Sequence, residues 1–180
     1  MKTRKYVTLS IFIAITCLLQ VLSTYINFIG LPITLSLIPI VIGGALYGIS
    51  FGCILGLSFG IMVSLMVIFG IDPTGAIMFS MHPFITVGIC LIKGLFAGFI
   101  GALVYKKMNN KKVAIVLSAL TATLTNTILF VTALFIFFDT KFSTITSILL
   151  SLNFLIEIVV NVILAPSLLP IINKRRHKTI

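Results

Sequence analysis

The sequence predicts an all-α integral membrane protein, a single domain over residues 1–180 with six transmembrane helices and both termini in the cytoplasm. Three observations carry that prediction. From Tyr6 to Tyr105 only Asp72 and Lys93 bear a formal charge, and no soluble domain has the interior to hide so much hydrocarbon. The whole chain is 59% hydrophobic and 9% charged, which leaves no stretch for an additional soluble domain. Its cations gather in three clusters, each beside an apolar run: Lys2, Arg4 and Lys5; Lys106, Lys107, Lys111 and Lys112; Lys174, Arg175, Arg176 and Lys178.

A helix that crosses a bilayer needs roughly 20 apolar residues at about 1.5 Å rise each. Cutting at turn signals yields spans Tyr6–Tyr25, Ile33–Tyr47, Ser50–Gly70, Pro83–Tyr105, Val113–Phe138 and Ser147–Ile172. The first has the basic start of a secretory signal. It reads as a span because the apolar pattern resumes at once and no small-residue cleavage site follows. Ile15-Thr16-Cys17 places Thr, not Gly, Ala or Ser, before the cysteine, unlike a lipoprotein cleavage site. The second and third spans are parted at Gly48-Ile49-Ser50, since Pro39 to Phe69 as one helix would be about 46 Å long. Pro32, Pro39, Pro73 and Pro83 punctuate outer loops and helix entries.

The basic clusters orient the spans. With the N-terminus inside, six crossings return the C-terminus inside and put all eleven clustered cations on that side. Asp72, His82, Asp139 and Lys141 then face out. The net charge of +10 is therefore a topology signal, with anionic lipid headgroups as its partner and no nucleic acid required.

Glycine falls at 44, 48, 52, 56 and 60, and Gly94 and Gly98 repeat the four-residue step. Small residues so spaced form a flat strip on which another helix backbone can approach closely, here between spans two, three and four. Ser10 and Ala14 make a similar pair in span one, where an external partner competes with internal packing. Cys17, Cys53 and Cys90 lie far apart in separate spans and read as small apolar packing residues, with no metal-ligand spacing.

Polar groups at bilayer depth are costly, on the order of 2.5–3.5 kcal/mol for a charge, so those present are functional candidates. Lys93 lies ten residues into span four and Glu157 ten residues into span six, at matching depth from the outer side. Asn153, Glu157 and Asn161 are four apart and share a helix face. Thr123, Asn126, Thr127 and Phe130 share one in span five; Thr86, Cys90, Lys93 and Ala97 share one in span four, with His82 at its mouth. The expectation is one outward-opening cavity. The alternative is a Lys93–Glu157 ion pair that only keeps two helices in register, with the asparagines as interhelical glue at about 0.6 kcal/mol each.

Catalysis finds little support. No metal constellation or Ser-His pair is present, and His82 and His177 fall on opposite sides of the membrane. No phosphate-cradling glycine loop is followed by Lys-Ser/Thr, so the chain has no means of using ATP, and no cofactor is called for. An ion-coupled secondary transporter is a second alternative, although recognisable inverted halves are lacking.

The run Ile38-Pro39-Ile40-Val41-Ile42-Gly43-Gly44-Ala45-Leu46-Tyr47-Gly48 with Gly52 and Gly56, the segment Lys93-Gly94-Leu95-Phe96-Ala97-Gly98, and Thr125-Asn126-Thr127 together resemble the substrate-binding S components of energy-coupling factor (ECF) vitamin transporters. The resemblance covers essentially the whole chain. It implies a bacterial plasma-membrane protein that captures a vitamin or related micronutrient from outside with high affinity. A transmembrane partner subunit and two ATPase subunits would drive its release inside. It further implies a pocket among spans four to six, here Lys93, Asn126, Asn153, Glu157, Thr86 and His82. The loops after spans one and three, Tyr25, Asn27 and Asp72–His82, would cap it. The family's first-span docking motif is usually Ala-xxx-Ala; here Ser10 takes the first position and Ala14 the second. Lys93 and Asn126 suit a ligand with a carboxylate or several carbonyls, such as pantothenate, biotin or a flavin. A cationic ring such as thiamine would want a cage of aromatics and carboxylates, and this chain has no Trp and one buried acid.

Overall fold

The computed structural model describes residues 2–25, 27–28, 31–32, 34–138 and 152–178. Among them are seven helices: α1 (Lys2–Tyr25), α2 (Leu37–Tyr47), α3 (Ile49–Ile68), α4 (Pro73–Met81), α5 (Pro83–Lys107), α6 (Lys111–Phe137) and α7 (Leu152–Lys178). A two-residue antiparallel pair, β1 (Asn27–Phe28) with β2 (Leu31–Pro32), sets Phe28 opposite Leu31 between α1 and α2.

Four stretches are long and apolar enough to cross a membrane: Lys5–Tyr25, Ile49–Ile68, Pro83–Lys107 and Lys111–Phe137. Their outer faces carry large exposed hydrophobics, among them Ile11, Leu18, Ile61, Ile92 and Ile128. In water such a surface would aggregate; against lipid tails it is at no disadvantage. The expected second and sixth spans are shorter. Helix α2 has 11 residues, about 16 Å, and the apolar helix in α7 is Phe154–Pro170. Helix α2 starts four residues later than expected because residues 35 and 36 are engaged by α1: Leu35 N–H donates to Ser23 Oγ and Ser36 Oγ to Gln20 Oε1.

The break between α2 and α3 falls at Gly48, one residue from each helix end. Its φ of +94° lies in the left-handed region where a Cβ would be strained. Its N–H donates to the Gly44 carbonyl at 2.9 Å, while its own carbonyl receives Phe51 and Gly52 N–H to open α3. Gly70, at φ +71°, ends α3 in the same way. Beyond it the loop expected at Asp72–His82 is helical. Pro73 supplies the fixed φ of a first helical position, and Ala76 N–H returns to the Asp72 carbonyl at 2.9 Å. His82 joins α4 to α5: its N–H caps Met78, and its carbonyl receives Thr86 N–H. At the opposite end of α5, Lys111 Nζ donates to the Tyr105 and Met108 carbonyls, and Asn110 Oδ1 caps α6 by accepting from Lys112 and Val113.

The glycine step is the frame of the bundle. Helices α3 and α5 run against each other with Gly52 facing Gly98, Gly56 facing Gly94 and Gly60 facing Cys90. A Cβ on Gly52 would stand 2.7 Å from the Gly98 carbonyl oxygen, and one on Gly60 2.6 Å from that of Cys90. Gly44 brings α2 into the same contact through Ala102. The side of this sheet of helices towards α1 is filled by Leu37, Ile40, Leu55 and Phe59, with Phe12, Tyr47 and Phe51 stacked edge and face. Helices α6 and α7 pack through Ile115, Ala119, Ala122 and Ala165, and the Ser118 hydroxyl donates to the Gly101 carbonyl to join α6 to α5.

Candidate functional site

Asn161 on α7 donates from Nδ2 to Thr123 Oγ1 on α6 at 3.2 Å, both side chains being buried. Further along, Ala165 of α7 packs where α6 has receded to Ala119 and Ile115, so the two helices are antiparallel. Glu157, four residues before Asn161, and Asn126, three after Thr123, therefore lie about one turn beyond that contact in the same direction. The stripes read from sequence do meet.

The chemistry at this level is unusual for a helix interface. Glu157 is 7% exposed, Asn126 6% and Asn161 1%, yet among the described residues none donates a hydrogen bond to the buried Glu157 Oε1, Asn126 Oδ1 or Asn161 Oδ1. Each such acceptor carries a desolvation penalty of about 1–3 kcal/mol, more for a charged group. Lys93, half-buried on α5, brings the cation. Its ammonium stands 5.0 Å from the Phe130 ring centroid on α6 and 5.9 Å from that of Phe59 on α3.

The helix-register ion pair considered above is not formed. Among the described residues no carboxylate oxygen comes within 4.0 Å of Lys93 Nζ. The aromatic faces of Phe59 and Phe130 take the ammonium instead.

The other expected site residues are more scattered. Thr86 is buried on α5, but its hydroxyl proton is committed to the His82 carbonyl at 2.9 Å. His82 is exposed between α4 and α5, edge-on to Phe138 at 5.6 Å between ring centroids. Asn27 sits in β1 and Asn153 is the second residue of α7; the side chains of both lie outside the described residues. Ser10 and Ala14 are exposed on α1, and Ser10 Oγ donates to the Tyr6 carbonyl at 3.1 Å. The sequence reading passed over the buried contacts of Gln20, Ser23 and Ser36 between α1 and the start of α2. A signal for part of this group existed: Thr16, Gln20, Ser23 and Thr24 form a polar stripe at helical spacing on α1, and all four are buried.

Comparison with known proteins identifies the family. Residues 4–169 match the family model described as "ECF transporter, substrate-specific component". The chain is 31% identical over 186 residues to the pantothenic acid transporter PanT of Lactococcus lactis subsp. cremoris, a match covering 95% of this chain and 94% of the relative. No solved structure matches. A helical membrane-type bundle with an unsatisfied polar level inside, matched over nearly its whole length, belongs to the family of ECF transporter substrate-specific components, the subunits that bind a vitamin for uptake with an ECF module.

Proposed function

We propose that this protein captures pantothenate, or a close hydroxy-amide acid, from outside the bacterial plasma membrane. In this reading six crossings leave both termini in the cytoplasm, where a transmembrane ECF subunit and two ATPase subunits couple ATP use to release. The observation that carries the reading is the inventory near one level of the bundle: among the described residues, an ammonium without an ion-pair partner and three buried oxygen acceptors without donors.

Pantothenate presents the complement: one carboxylate, an amide N–H and two hydroxyls. Lys93 binds the carboxylate, a charge-assisted contact that needs no counter-ion from the protein. Glu157 Oε1, Asn126 Oδ1 and Asn161 Oδ1 accept from the hydroxyls and the amide. The Phe59 and Phe130 rings, already against the ammonium, give its branched carbon skeleton an apolar wall. In this reading Thr86 and His82 stand on the approach from the outer side. A flavin ring has no carboxylate for Lys93 and fits less well. The Lactococcus relative's name supports the choice of pantothenate.

Mass spectrometry of ligand co-purifying with the detergent-solubilised chain, followed by calorimetric titration of pantothenate, tests the reading. The expected outcome is tight stoichiometric binding by this chain alone, without ATP hydrolysis. Absence of pantothenate binding would end the substrate assignment, and gradient-driven uptake into liposomes containing only this chain would favour a secondary transporter.

A further inference from the structure

Lys93 sits against two aromatic rings that arrive from different helices. Its ammonium stands 5.0 Å from the Phe130 centroid on α6 and 5.9 Å from the Phe59 centroid on α3. Lys111, which also lies over a ring, donates in addition to the Tyr105 and Met108 carbonyls. For Lys93 the described residues supply the two rings and no carboxylate oxygen within 4.0 Å.

The glycine frame delivers one of the rings. Gly56 and Gly94 meet backbone to backbone, and Phe59 follows Gly56 at a helical spacing of three. A Cβ at position 94 would stand 3.0 Å from Phe59 Cδ1, so the ring lies on the α5 backbone beside Lys93. Phe59 is 1% exposed and belongs to the apolar core with Leu55 and Val63. A ring packed that closely is a fixed surface.

A lysine at bilayer depth has a flexible four-carbon stem, and its charge is drawn along that stem towards water and headgroups. An ammonium free to straighten would be a poor anchor, because a ligand would have to order it on arrival. The negative faces of the rings attract the ammonium and leave its charge intact. A carboxylate in their place would also hold it, but would occupy the charge that an anionic ligand needs.

We propose that Phe59 and Phe130 are positioning residues whose π faces hold the Lys93 ammonium ready inside the bundle, so that the electron density of the rings, beyond their bulk, sets the affinity for an anionic ligand. The proposal rests on the reading of Lys93 as the anchor of the ligand's carboxylate. The hold on the ammonium exists without ligand and is measured separately.

For that measurement the full-length chain in detergent carries lysine labelled with carbon-13 at the ε position, and the Lys93 signal is assigned by its loss in Lys93→Met. Ring currents should shift its ε-methylene protons upfield of those of the exposed Lys106, Lys107 and Lys112. In Phe130→Leu the signal should move back towards theirs. Truncating Phe59 would open a cavity in the core, so its ring is altered by fluorination instead. Replacing Phe59 or Phe130 with mono-, di- and trifluorophenylalanine drains the ring face with little change of shape. Radiolabelled pantothenate should bind stepwise more weakly along each series, by about 3- to 30-fold at full fluorination, the range of a cation–π contact. In a Lys93→Met background the same series should bind pantothenate with constant affinity. Affinity that falls in Phe130→Leu but stays flat along the fluorinated series would make the rings an apolar wall and overturn the proposal. A Lys93 signal level with those of the exposed lysines would overturn it as well. If the native chain bound no pantothenate, the ligand assignment alone would end, and the Lys93 signal would decide the hold on the ammonium.

Discussion

Asn161 on α7 donates to Thr123 on α6 across 3.2 Å, and that contact sets the register in which Glu157 and Asn126 reach the same level. Thr123 spends its own proton on the Ala119 carbonyl at 3.0 Å, so its oxygen faces Asn161 as an acceptor. The pair is polar glue in one sense and an alignment device in another.

A double-mutant cycle with Thr123→Val and Asn161→Leu should give a coupling of about 0.6 kcal/mol, and no more than about 1.7, in reversible unfolding from detergent. Ligand affinity should fall further than that stability loss explains, because the register of Glu157 depends on the same contact. Equal losses in stability and affinity would make the pair glue alone.

Lys93→Met should weaken pantothenate binding by about 10- to 100-fold, the range for a hydrogen bond to a charged group. The melting temperature of the ligand-free protein should hold or rise, since among the described residues the ammonium has no ion-pair partner to leave stranded. A large drop in ligand-free stability would instead identify Lys93 as a structural charge.

Gly56→Ala and Gly94→Ala should each be severe, about 1–3 kcal/mol or worse, because the added methyl on either residue runs into the carbonyl of the other. Gly88→Ala lies in the same helix as Gly94 with open space around its Cβ position. It should be neutral or stabilising by up to about 1 kcal/mol through helix propensity. Thermal unfolding monitored by size-exclusion chromatography separates the two classes.

Ala14→Trp should leave ligand binding unchanged, since Ala14 is exposed on α1 and the proposed binding residues Lys93, Asn126 and Glu157 lie on α5, α6 and α7. Pull-down of the ATPase-bearing module and uptake into whole cells should both be lost if this strip receives a partner helix. Uptake at the parental rate would show that the strip faces only lipid.

The sequence by itself determined the class of protein, the break at Gly48, the pairing of glycine strips and the existence of polar stripes on the last three long helices. These are local or periodic properties. A run of apolar residues needs lipid, an overlong helix must break where a positive φ is cheapest, and small residues every fourth position leave a flat face. What only the tertiary structure decided was which polar group meets which. Lys93 rests against Phe59 and Phe130 instead of Glu157; Gln20 and Ser23 hold residues 35 and 36 against α1; Thr123 meets Asn161. The residues after Gly70 coil into α4, and α2 is shortened by contacts that begin sixteen residues earlier in the chain. In lipid a helix is apolar on all sides, so hydrophobicity does not mark the face that turns inward. That choice falls to backbone approach at the glycines and to the few polar atoms that must find partners where there is no water, and both are settled between helices distant in sequence.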